Sequence, residues 1–99
     1  MSRTAIVTGS TSGIGAGIAR GLAQAGCNIL LNGFGEPARI EAQRAGLEEE
    51  FGVRCAYSAA DLTKVDQIEA MFALAGEALG PADILVNNAG VQHVSAVED

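Results

Sequence analysis

The chain has 99 residues, enough for one small domain. Twelve acidic and six basic side chains give a net charge of -6, which disfavours nucleic acid and anionic membrane surfaces as partners. One histidine and two separated cysteines do not supply a metal cluster, and no apolar run is long enough for a membrane span or a secretion signal. We therefore expect a cytoplasmic protein in which Cys27 and Cys55 are buried free thiols.

Predicted strands and helices alternate from the N-terminus. The first strand covers Thr4–Thr8, and the first helix covers about Gly13–Ala25 with Ser12 as its N-cap. Its predicted buried stripe is Ile14, Ile18, Leu22 and Ala25. Gly17 and Gly21 lie inside this helix, where glycine costs roughly 0.5 to 1 kcal/mol relative to alanine. We therefore expect both glycines to permit a close approach to the sheet or to the preceding loop.

The second strand, Asn28–Asn32, leads to a helix that begins near Pro37, a residue suited to a first helical turn. The apolar residues expected to face inward are Ile40, Leu47 and Phe51, and the acidic ones expected to face outward are Glu41, Glu48, Glu49 and Glu50. This acidic side is either a solvated face or a partner site.

The third strand, Arg54–Ser58, is followed by Thr63 and Asp66, which are spaced as a capping box. The helix that they open has a predicted inner face of Val65, Ile68, Phe72, Ala75 and Leu79. The fourth strand, Asp83–Asn87, is apolar on both faces, which is typical of a strand that is covered on two sides.

Four strands that alternate with three helices predict an α/β fold, the N-terminal part of a doubly wound Rossmann fold with a parallel sheet of order 3-2-1-4. Sheets of this kind bind ligands beyond the C-terminal ends of their strands, where the strand order reverses. The glycine loop after the first strand and residues 33–34, 61–62 and 88–90 are all predicted to converge there.

The glycine loop lies within Thr8–Gly15, between an apolar strand and an amphipathic helix. Backbone N–H groups at a helix N-terminus favour phosphate. Here Gly9 allows a tight turn, Gly13 lets a ligand approach the backbone, and Gly15 lets the helix pack closely on the strand. The spacing G-x-x-x-G-x-G lacks the Gly-Lys-Ser/Thr of nucleoside triphosphatase loops, which argues against ATP or GTP hydrolysis.

This loop, together with Asp61 after the third strand and Asn87–Gly90 after the fourth, resembles the short-chain dehydrogenase/reductase family over essentially the whole chain. The resemblance implies that residues 1–99 are the NAD-binding part of a Rossmann domain. The implied cofactor-binding residues are Gly9, Thr11, Gly13, Ile14 and Gly15 at the pyrophosphate, Phe34 beside the adenosine, Asp61 and Leu62 at the adenine, and Asn88, Ala89 and Gly90 at the nicotinamide-side ribose.

Three of these strand-end residues have alternative or additional interpretations. Asp61 can instead cap the turn before Thr63, and Phe34 can instead bury its ring within the loop. In the same family, Asn87 more often fastens the fourth strand to its neighbours.

The residues near the second strand favour NAD over NADP. The positions that usually carry a cation for the additional phosphate of NADP hold Ser12, Gly33 and Phe34, and Arg39 is the nearest basic residue. The acid that usually bonds the ribose hydroxyls is missing as well, although Glu36 is near.

Within the family, Asn32–Gly35 and Asn87–Val94 resemble the bacterial 3-hydroxybutyrate dehydrogenases. In that group the glutamine after the Asn-Asn-Ala-Gly segment donates to the substrate carboxylate, a role that falls here to Gln92. The alternative is that Gln92 and His93 are ordinary loop residues. The resemblance implies NAD-dependent oxidation of (R)-3-hydroxybutyrate, a small hydroxy acid, to acetoacetate. The runner-up is another short-chain reductase, such as a 3-oxoacyl carrier-protein reductase.

The catalytic tyrosine of the family, with its lysine four residues later, has no counterpart here, since Tyr57 is the only tyrosine and Asp61 stands four residues after it. We therefore expect the chain to be the N-terminal part of a longer enzyme, without catalytic residues and by itself only a nucleotide-binding module. Family members are homo-oligomers through helices that lie later in the sequence. The unpaired apolar edge at Ile84–Val86 predicts association or marginal stability of the isolated chain.

Overall fold

A computed structural model describes residues 3–88, in which strands and helices alternate as predicted. The strands are Thr4–Val7 (β1), Asn28–Asn32 (β2), Cys55–Ser58 (β3) and Ile84–Val86 (β4). The helices are Gly13–Gln24 (α1), Pro37–Phe51 (α2) and Val65–Ala78 (α3). The first, third and fourth strands and the first helix are each slightly shorter than predicted, because the chain leaves the regular hydrogen-bonding pattern as it enters the loops.

The strands form one parallel sheet in the order β3-β2-β1-β4. This confirms the predicted order and the α/β Rossmann architecture. Val7 of β1 lies opposite both Leu31 of β2 and Val86 of β4. After β1 the chain adds β2 and β3 on one side of that strand, and β4 then pairs on its other side. A crevice therefore opens between the loops that follow β1 and β4.

The core lies on both faces of β1 and β2, whose side chains are buried throughout. On one face, a cluster joins the sheet to α1 and α2 through Ala5, Val7, Ile29, Leu31, Ala19, Ala23 and Leu47. On the other face, a second cluster joins it to α3 through Ile6, Leu30, Met71, Ala75 and Leu79. Coverage on both faces explains why these two strands are uninterrupted apolar runs.

The inward face of α2 is confirmed, since Ile40 and Leu47 are buried and Phe51 is half-buried. The acidic side is mainly solvated, with exposed residues Glu41, Glu49 and Glu50. Glu48 is half-buried, and its carboxylate accepts a hydrogen bond from the Cys55 backbone N–H at 3.0 Å. One acidic residue of the run therefore ties α2 to the start of β3.

The buried face of α1 differs from the predicted stripe. The buried residues are Gly15, Ala19 and Ala23, and Ile18 and Leu22 are only partly buried beside them. Ile14 is 78% exposed and Ala25 is exposed, so the prediction is wrong for both. The helix approaches the loop and sheet through its smallest side chains, and this rotates the larger apolar residues to the sides of the contact.

The close approach expected at Gly17 and Gly21 is also wrong. A Cβ atom added at either position would meet no atom within 4 Å in the described structure. Both residues are exposed, so they lie on the side of α1 opposite the contact with the sheet.

The inner face of α3 is partly as predicted. Ala75 and Leu79 are buried, but Met71 takes the central place, while Val65 and Phe72 are 69% and 40% exposed. The predicted capping box does not form, because α3 begins after Lys64 and no side chain caps it.

β4 is at the edge of the sheet, as predicted. Ile84 and Val86 are half-buried against the α1 side, whereas Leu85, which points to the opposite face, is 54% exposed. The expectation that both faces are covered is therefore wrong for residues 3–88, in which no element covers Leu85.

Cys27 and Cys55 are buried free cysteines, as predicted. Burial raises the pKa of the Cys55 thiol to about 12, so this thiol stays protonated and unreactive near neutral pH. Of the helices in the described region, none combines the length and the hydrophobicity that crossing a bilayer requires.

Candidate functional site

The loops that follow the strands lie along one edge of the sheet, because all strands run in the same direction. They comprise residues 8–12 after β1, 33–36 after β2, 59–64 after β3 and 87–88 after β4. The predicted convergence of four separate segments of sequence is therefore present in the fold.

The loop between β1 and α1 turns through Gly9 and Gly13, whose φ angles of 63° and 61° favour glycine. Among residues 3–88, a Cβ added at Gly13 would meet nothing within 4 Å, so the backbone is open to an approaching group. Ser12 is the N-cap of α1, as predicted, but its side chain makes no capping hydrogen bond. The first-turn N–H groups therefore point to a position that suits an anion.

Gly15 is the tightest point of the loop. A Cβ at this position would lie 2.1 Å from the Gly9 carbonyl oxygen and 2.6 Å from the Asn88 side-chain nitrogen. The Asn88 amide also donates a hydrogen bond to the Gly9 oxygen at 3.1 Å. Gly15 therefore packs against the loop and the segment after β4 rather than against the strand itself.

The ends of β1 and β4 are tied together beside this contact. The Thr8 backbone N–H donates to the Val86 oxygen at 3.0 Å, and the Thr8 hydroxyl lies 3.2 Å from the Asn87 side-chain oxygen. This confirms that Asn87 fastens β4 to its neighbour. Asn88 holds the glycine loop through its hydrogen bond to the Gly9 carbonyl. Its contact with the cofactor ribose stays a prediction.

The loop after β2 is clamped on two sides. The Thr11 hydroxyl donates to the Phe34 carbonyl at 3.0 Å, and the Tyr57 hydroxyl donates to the Gly33 carbonyl. Gly33 has a φ of 151°, and a Cβ there would lie 2.5 Å from the Thr11 hydroxyl oxygen. The Phe34 ring is nevertheless 69% exposed, so the alternative in which it is buried within the loop is wrong.

Phe34 lies between two cavities. The first, of about 290 Å³, is lined by Thr11, Ser12, Ala16, Phe34, Gly35, Glu36, Arg39, Ile40 and Gln43. The second, of about 360 Å³, is lined by Phe34, Gly35, Pro37, Ile40, Glu41, Tyr57 and Ala59. An exposed ring between two cavities at the strand ends is available to contact a planar ligand group.

Asp61 forms the turn that was predicted as its alternative role. One of its carboxylate oxygens accepts hydrogen bonds from the Thr63 backbone N–H at 2.9 Å and the Thr63 hydroxyl at 2.7 Å. These bonds hold the pKa of Asp61 below its ordinary value, so the carboxylate is charged at neutral pH. Leu62 is partly buried against the cluster that joins the sheet to α3.

Three supporting residues were not identified from the sequence: Ser10, Asn32 and Gln43. They make hydrogen bonds behind the two loops that contain Gly9 and Phe34. The available signal was the position of Asn32, a polar residue at the end of β2 that follows the apolar run of residues 29–31.

The remaining predicted positions, Ala89, Gly90 and Gln92, lie outside the described residues, as does His93. The described structure therefore covers the predicted pyrophosphate and adenine sides of the cleft, and both assignments stay predictions. Between residues 3 and 88, no group of three metal-binding side chains lies close enough together to hold an ion.

Comparison with known proteins identifies relatives that share both sequence and fold. The family described as short chain dehydrogenase matches residues 3–99. A D-beta-hydroxybutyrate dehydrogenase of Cupriavidus necator is 54% identical over 99 residues, which cover 98% of this chain and 37% of the relative. The chain thus spans little more than a third of the length of this curated relative.

Two solved structures have the same fold at substantial sequence identity. An L-sorbose reductase of Gluconobacter frateurii, complexed with NADPH and L-sorbose, matches with a TM-score of 0.81 and 39% identity over 90% of this chain and 34% of its own. A 3-oxoacyl-[acyl-carrier protein] reductase of Brucella melitensis, in complex with NAD, matches with a TM-score of 0.79 and 37% identity over 91% of this chain and 34% of its own.

Proposed function

Because this chain belongs to the short-chain dehydrogenase family, we propose that residues 1–99 are the cofactor-binding part of an NAD-dependent 3-hydroxybutyrate dehydrogenase. The observation that carries this proposal is the contact among Gly9, Gly15 and Asn88. This contact joins two of the three family motifs, the glycine loop and the segment after β4, and it leaves the open side of Gly13 facing outward. The substrate is suggested by the 54% identity to the Cupriavidus necator enzyme.

The residues present fit a dinucleotide along the edge of the sheet. The pyrophosphate would lie at the first turn of α1, where Gly13 offers open backbone. The Thr11 hydroxyl would reach it by exchanging the hydrogen bond that it donates to the Phe34 carbonyl. The exposed side chain of Ile14 would cover the cofactor from the helix side. These contacts use backbone dipoles, which suits a chain of net charge -6.

The adenosine would lie between the loops after β2 and β3. Phe34 offers an exposed ring, and Leu62 an apolar side chain. Both hydrogen bonds from Thr63 go to the same oxygen of Asp61, so its other oxygen would accept from the adenine amino group. The turn and the adenine contact are thus compatible roles for one carboxylate.

NAD is the proposed cofactor because Ser12, Gly33 and Phe34 provide no positive charge. Arg39 lines the first cavity together with Ser12, and it is the one residue of that cavity that could favour a further phosphate. A comparison of NADH with NADPH in binding assays therefore tests the choice directly.

Bound NAD would supply the hydride acceptor for C3 of the hydroxy acid, and the hydroxyl proton would need an acid-base group of the protein. Tyr57 cannot take that proton, because its hydroxyl donates to the Gly33 carbonyl behind the loop and Asp61 stands at the position of the required lysine. Gln92 would donate its amide to the substrate carboxylate. We therefore propose that the 99 residues bind the cofactor without turnover and that catalysis, homo-oligomer formation and action in the cytoplasm belong to a longer protein.

A second candidate is a reductase of another substrate class, such as a 3-oxoacyl carrier-protein reductase. It is favoured by the similarity to the Brucella melitensis structure, which is named as such an enzyme and holds NAD. The glycine loop does not separate the two candidates, since both require the same nucleotide cleft.

The test uses a chimeric enzyme in which these 99 residues replace the matching segment of the Cupriavidus necator relative. We expect it to reduce NAD with (R)-3-hydroxybutyrate and to act poorly on 3-oxoacyl substrates. The 99-residue chain alone is expected to bind NADH, measured by fluorescence, but to produce none from NAD and 3-hydroxybutyrate. Turnover by the chain alone, or a chimera that prefers 3-oxoacyl substrates or NADPH, would contradict the proposal.

The role of Gln92 is tested in the same chimera. Gln92→Leu removes the amide donor, so kcat/KM for 3-hydroxybutyrate should fall about tenfold or more, the loss expected from a hydrogen bond to a charged group. The affinity for NADH should not change. His93→Ala is the matched control at the adjacent position, and an equal loss there would assign both effects to the loop rather than to the amide.

A further inference from the structure

We propose that Ser10 and Asn32 are positioning residues that hold the pyrophosphate loop and the adenine loop at a fixed separation, a role that rests on the proposed cofactor function. We call their hydrogen-bonded contact the Ser10–Asn32 brace. It lies behind the cleft, at the C-terminal end of β2, and neither side chain points into the cavities beside Phe34.

Ser10 joins the glycine loop to β2 through three contacts with one residue. Its backbone N–H donates to the Asn32 carbonyl at 2.7 Å. Its hydroxyl oxygen accepts from the Asn32 backbone N–H at 2.9 Å and lies 3.3 Å from the Asn32 carbonyl. The Ser10 side chain is fully buried, so these contacts are not exchanged with water.

α2 adds a third tie to the same loop. The Gln43 side-chain amide donates to the Ser10 carbonyl at 2.8 Å. The backbone N–H, the carbonyl and the hydroxyl of Ser10 are therefore all bonded to protein groups. A residue with every polar group committed to the scaffold has no capacity to bind the cofactor directly, so its contribution is to fix the loop.

Asn32 continues the connection to the adenine side. Its side-chain nitrogen lies 3.1 Å from the Ser58 carbonyl and 3.2 Å from the Ala60 carbonyl. An amide carries two N–H donors, one for each carbonyl, and Asn32 is 2% exposed. Ala60 directly precedes Asp61, so the adenine loop leaves β3 from a point fixed by Asn32.

The brace therefore connects the two loops through a single residue. The backbone of Asn32 holds Ser10, whose loop seats the pyrophosphate, and its side chain holds Ala60, whose loop contacts the adenine. A dinucleotide spans both loops, so its affinity depends on their separation. A ligand that occupies only one loop does not sense that separation.

The chain provides a matched control at the other end of the same strand. Asn28 is also buried, and its side-chain oxygen accepts from the Arg54 backbone N–H at 2.9 Å, which ties β2 to the chain entering β3. Asn28 and Asn32 are the first and last residues of β2 and bridge the same two strands. Only Asn32 is at the cofactor edge.

The experiment compares Asn32→Ala with Asn28→Ala in the 99-residue chain. Both should lower the urea midpoint by similar amounts. We expect Asn32→Ala to raise the Kd for NADH about tenfold, as loss of one or two hydrogen bonds predicts. Asn28→Ala should leave the NADH Kd within about twofold. In the chimera, Asn32→Ala should raise KM for NAD more than it lowers kcat.

A further variant covers a failure of Asn32→Ala to fold. Gln43→Glu removes the donor to Ser10 at a half-buried position, and it should weaken NADH binding in the same direction, by less than Asn32→Ala. Equal effects of the Asn28 and Asn32 variants on NADH, or no effect of either, would overturn the proposal.

Hydrogen exchange separates this proposal from the proposed function. Asn32→Ala removes only the side-chain bonds to Ser58 and Ala60, so it should increase deuterium uptake in residues 59–63 relative to Asn28→Ala, whether or not a nucleotide is present. If the unsubstituted chain and chimera bind no NADH, the proposed function fails while this exchange pattern still supports the brace. If uptake rises equally in both variants, the brace fails independently of the cofactor result.

Discussion

Gly15 and Gly17 are two residues apart in α1 and have opposite surroundings. Gly15 is buried, and a Cβ atom added there would lie less than 3 Å from the Gly9 carbonyl and the Asn88 amide. Gly17 is exposed, and its added Cβ would meet nothing within 4 Å in the part of the chain that the structure describes. We call the two sides of the helix its loop face and its solvent face. The difference shows that a glycine in a helix does not by itself indicate that the helix packs closely on a neighbouring segment. The position of the glycine relative to the preceding loop determines whether it does.

The largest expected effect comes from Gly15→Ala on the loop face. The added methyl group would lie 2.1 Å from the backbone oxygen of Gly9, which has no flexible side chain to move away. Overpacking usually costs about 1–3 kcal/mol, and we expect at least the upper part of that range. Urea unfolding measures this cost, and NADH fluorescence should show a Kd raised about a hundredfold. The control is Gly17→Ala, and equal urea midpoints for the two variants would remove the distinction between the faces.

Asn88→Ala sharpens the same contact. It removes the hydrogen bond to the Gly9 carbonyl, which should lower the free energy of unfolding by about 0.5–1.5 kcal/mol. It also removes one of the three atoms that crowd an alanine at position 15, so the double substitution should cost less than the sum of the single ones. Asn87→Ala is the control, because Asn87 bonds to Thr8 and not to Gly9. Its effect on the free energy of unfolding should therefore add to that of Gly15→Ala. Full additivity with Asn88→Ala would show that the backbone oxygen alone causes the clash.

The fold was predictable because its signals are local and repeat along the chain. The apolar runs of β1 and β2 and the glycine and proline residues between segments predict the order of elements, and the alternation predicts the parallel sheet. Helix faces were less predictable. In α1 the smallest side chains form the contact face, since Ala19 is buried and Ile14 is exposed. In α3, Met71 is buried and Phe72 is exposed, and side-chain size does not account for that choice.

The candidate site was predictable where chemistry and backbone geometry coincide. Gly9 and Gly13 both have positive φ angles, as a tight loop with open backbone requires. The Ser10–Asn32 brace was not predictable, because it depends on contacts between residues 22 positions apart in sequence. A buried polar residue at a strand end indicates that a partner exists, but only the fold identifies that partner.

On the solvent face, Gly17→Ala and Gly21→Ala should each stabilise the chain. Alanine has the higher helix propensity by about 0.5–1 kcal/mol at an exposed interior position, and within residues 3–88 neither added methyl group would meet an atom of another part of the fold within 4 Å. The two changes should add, and the Kd for NADH should stay the same. A loss of stability in either variant, measured by urea unfolding, would mean that this face of α1 contacts protein that residues 3–88 do not include.

The smallest expected effect is at Arg20, also on the solvent face. Its guanidinium forms a two-pronged ion pair with Glu50 and lies 5.0 Å from the centroid of the Phe51 ring, so it joins α1 to α2. Both charged side chains are about half exposed, and water and salt weaken such pairs. Arg20→Gln should therefore lower the urea midpoint by less than either glycine substitution raises it, and about 1 M salt should remove most of the difference. Glu50→Gln, which keeps the guanidinium over the ring, is the matched control. If the effect of Arg20→Gln on the urea midpoint persists in salt and Glu50→Gln has no effect, the contact of Arg20 with the Phe51 ring, rather than the ion pair, joins the two helices. The contact of Arg20 with α2 would then depend on packing, as the contacts of the loop face do.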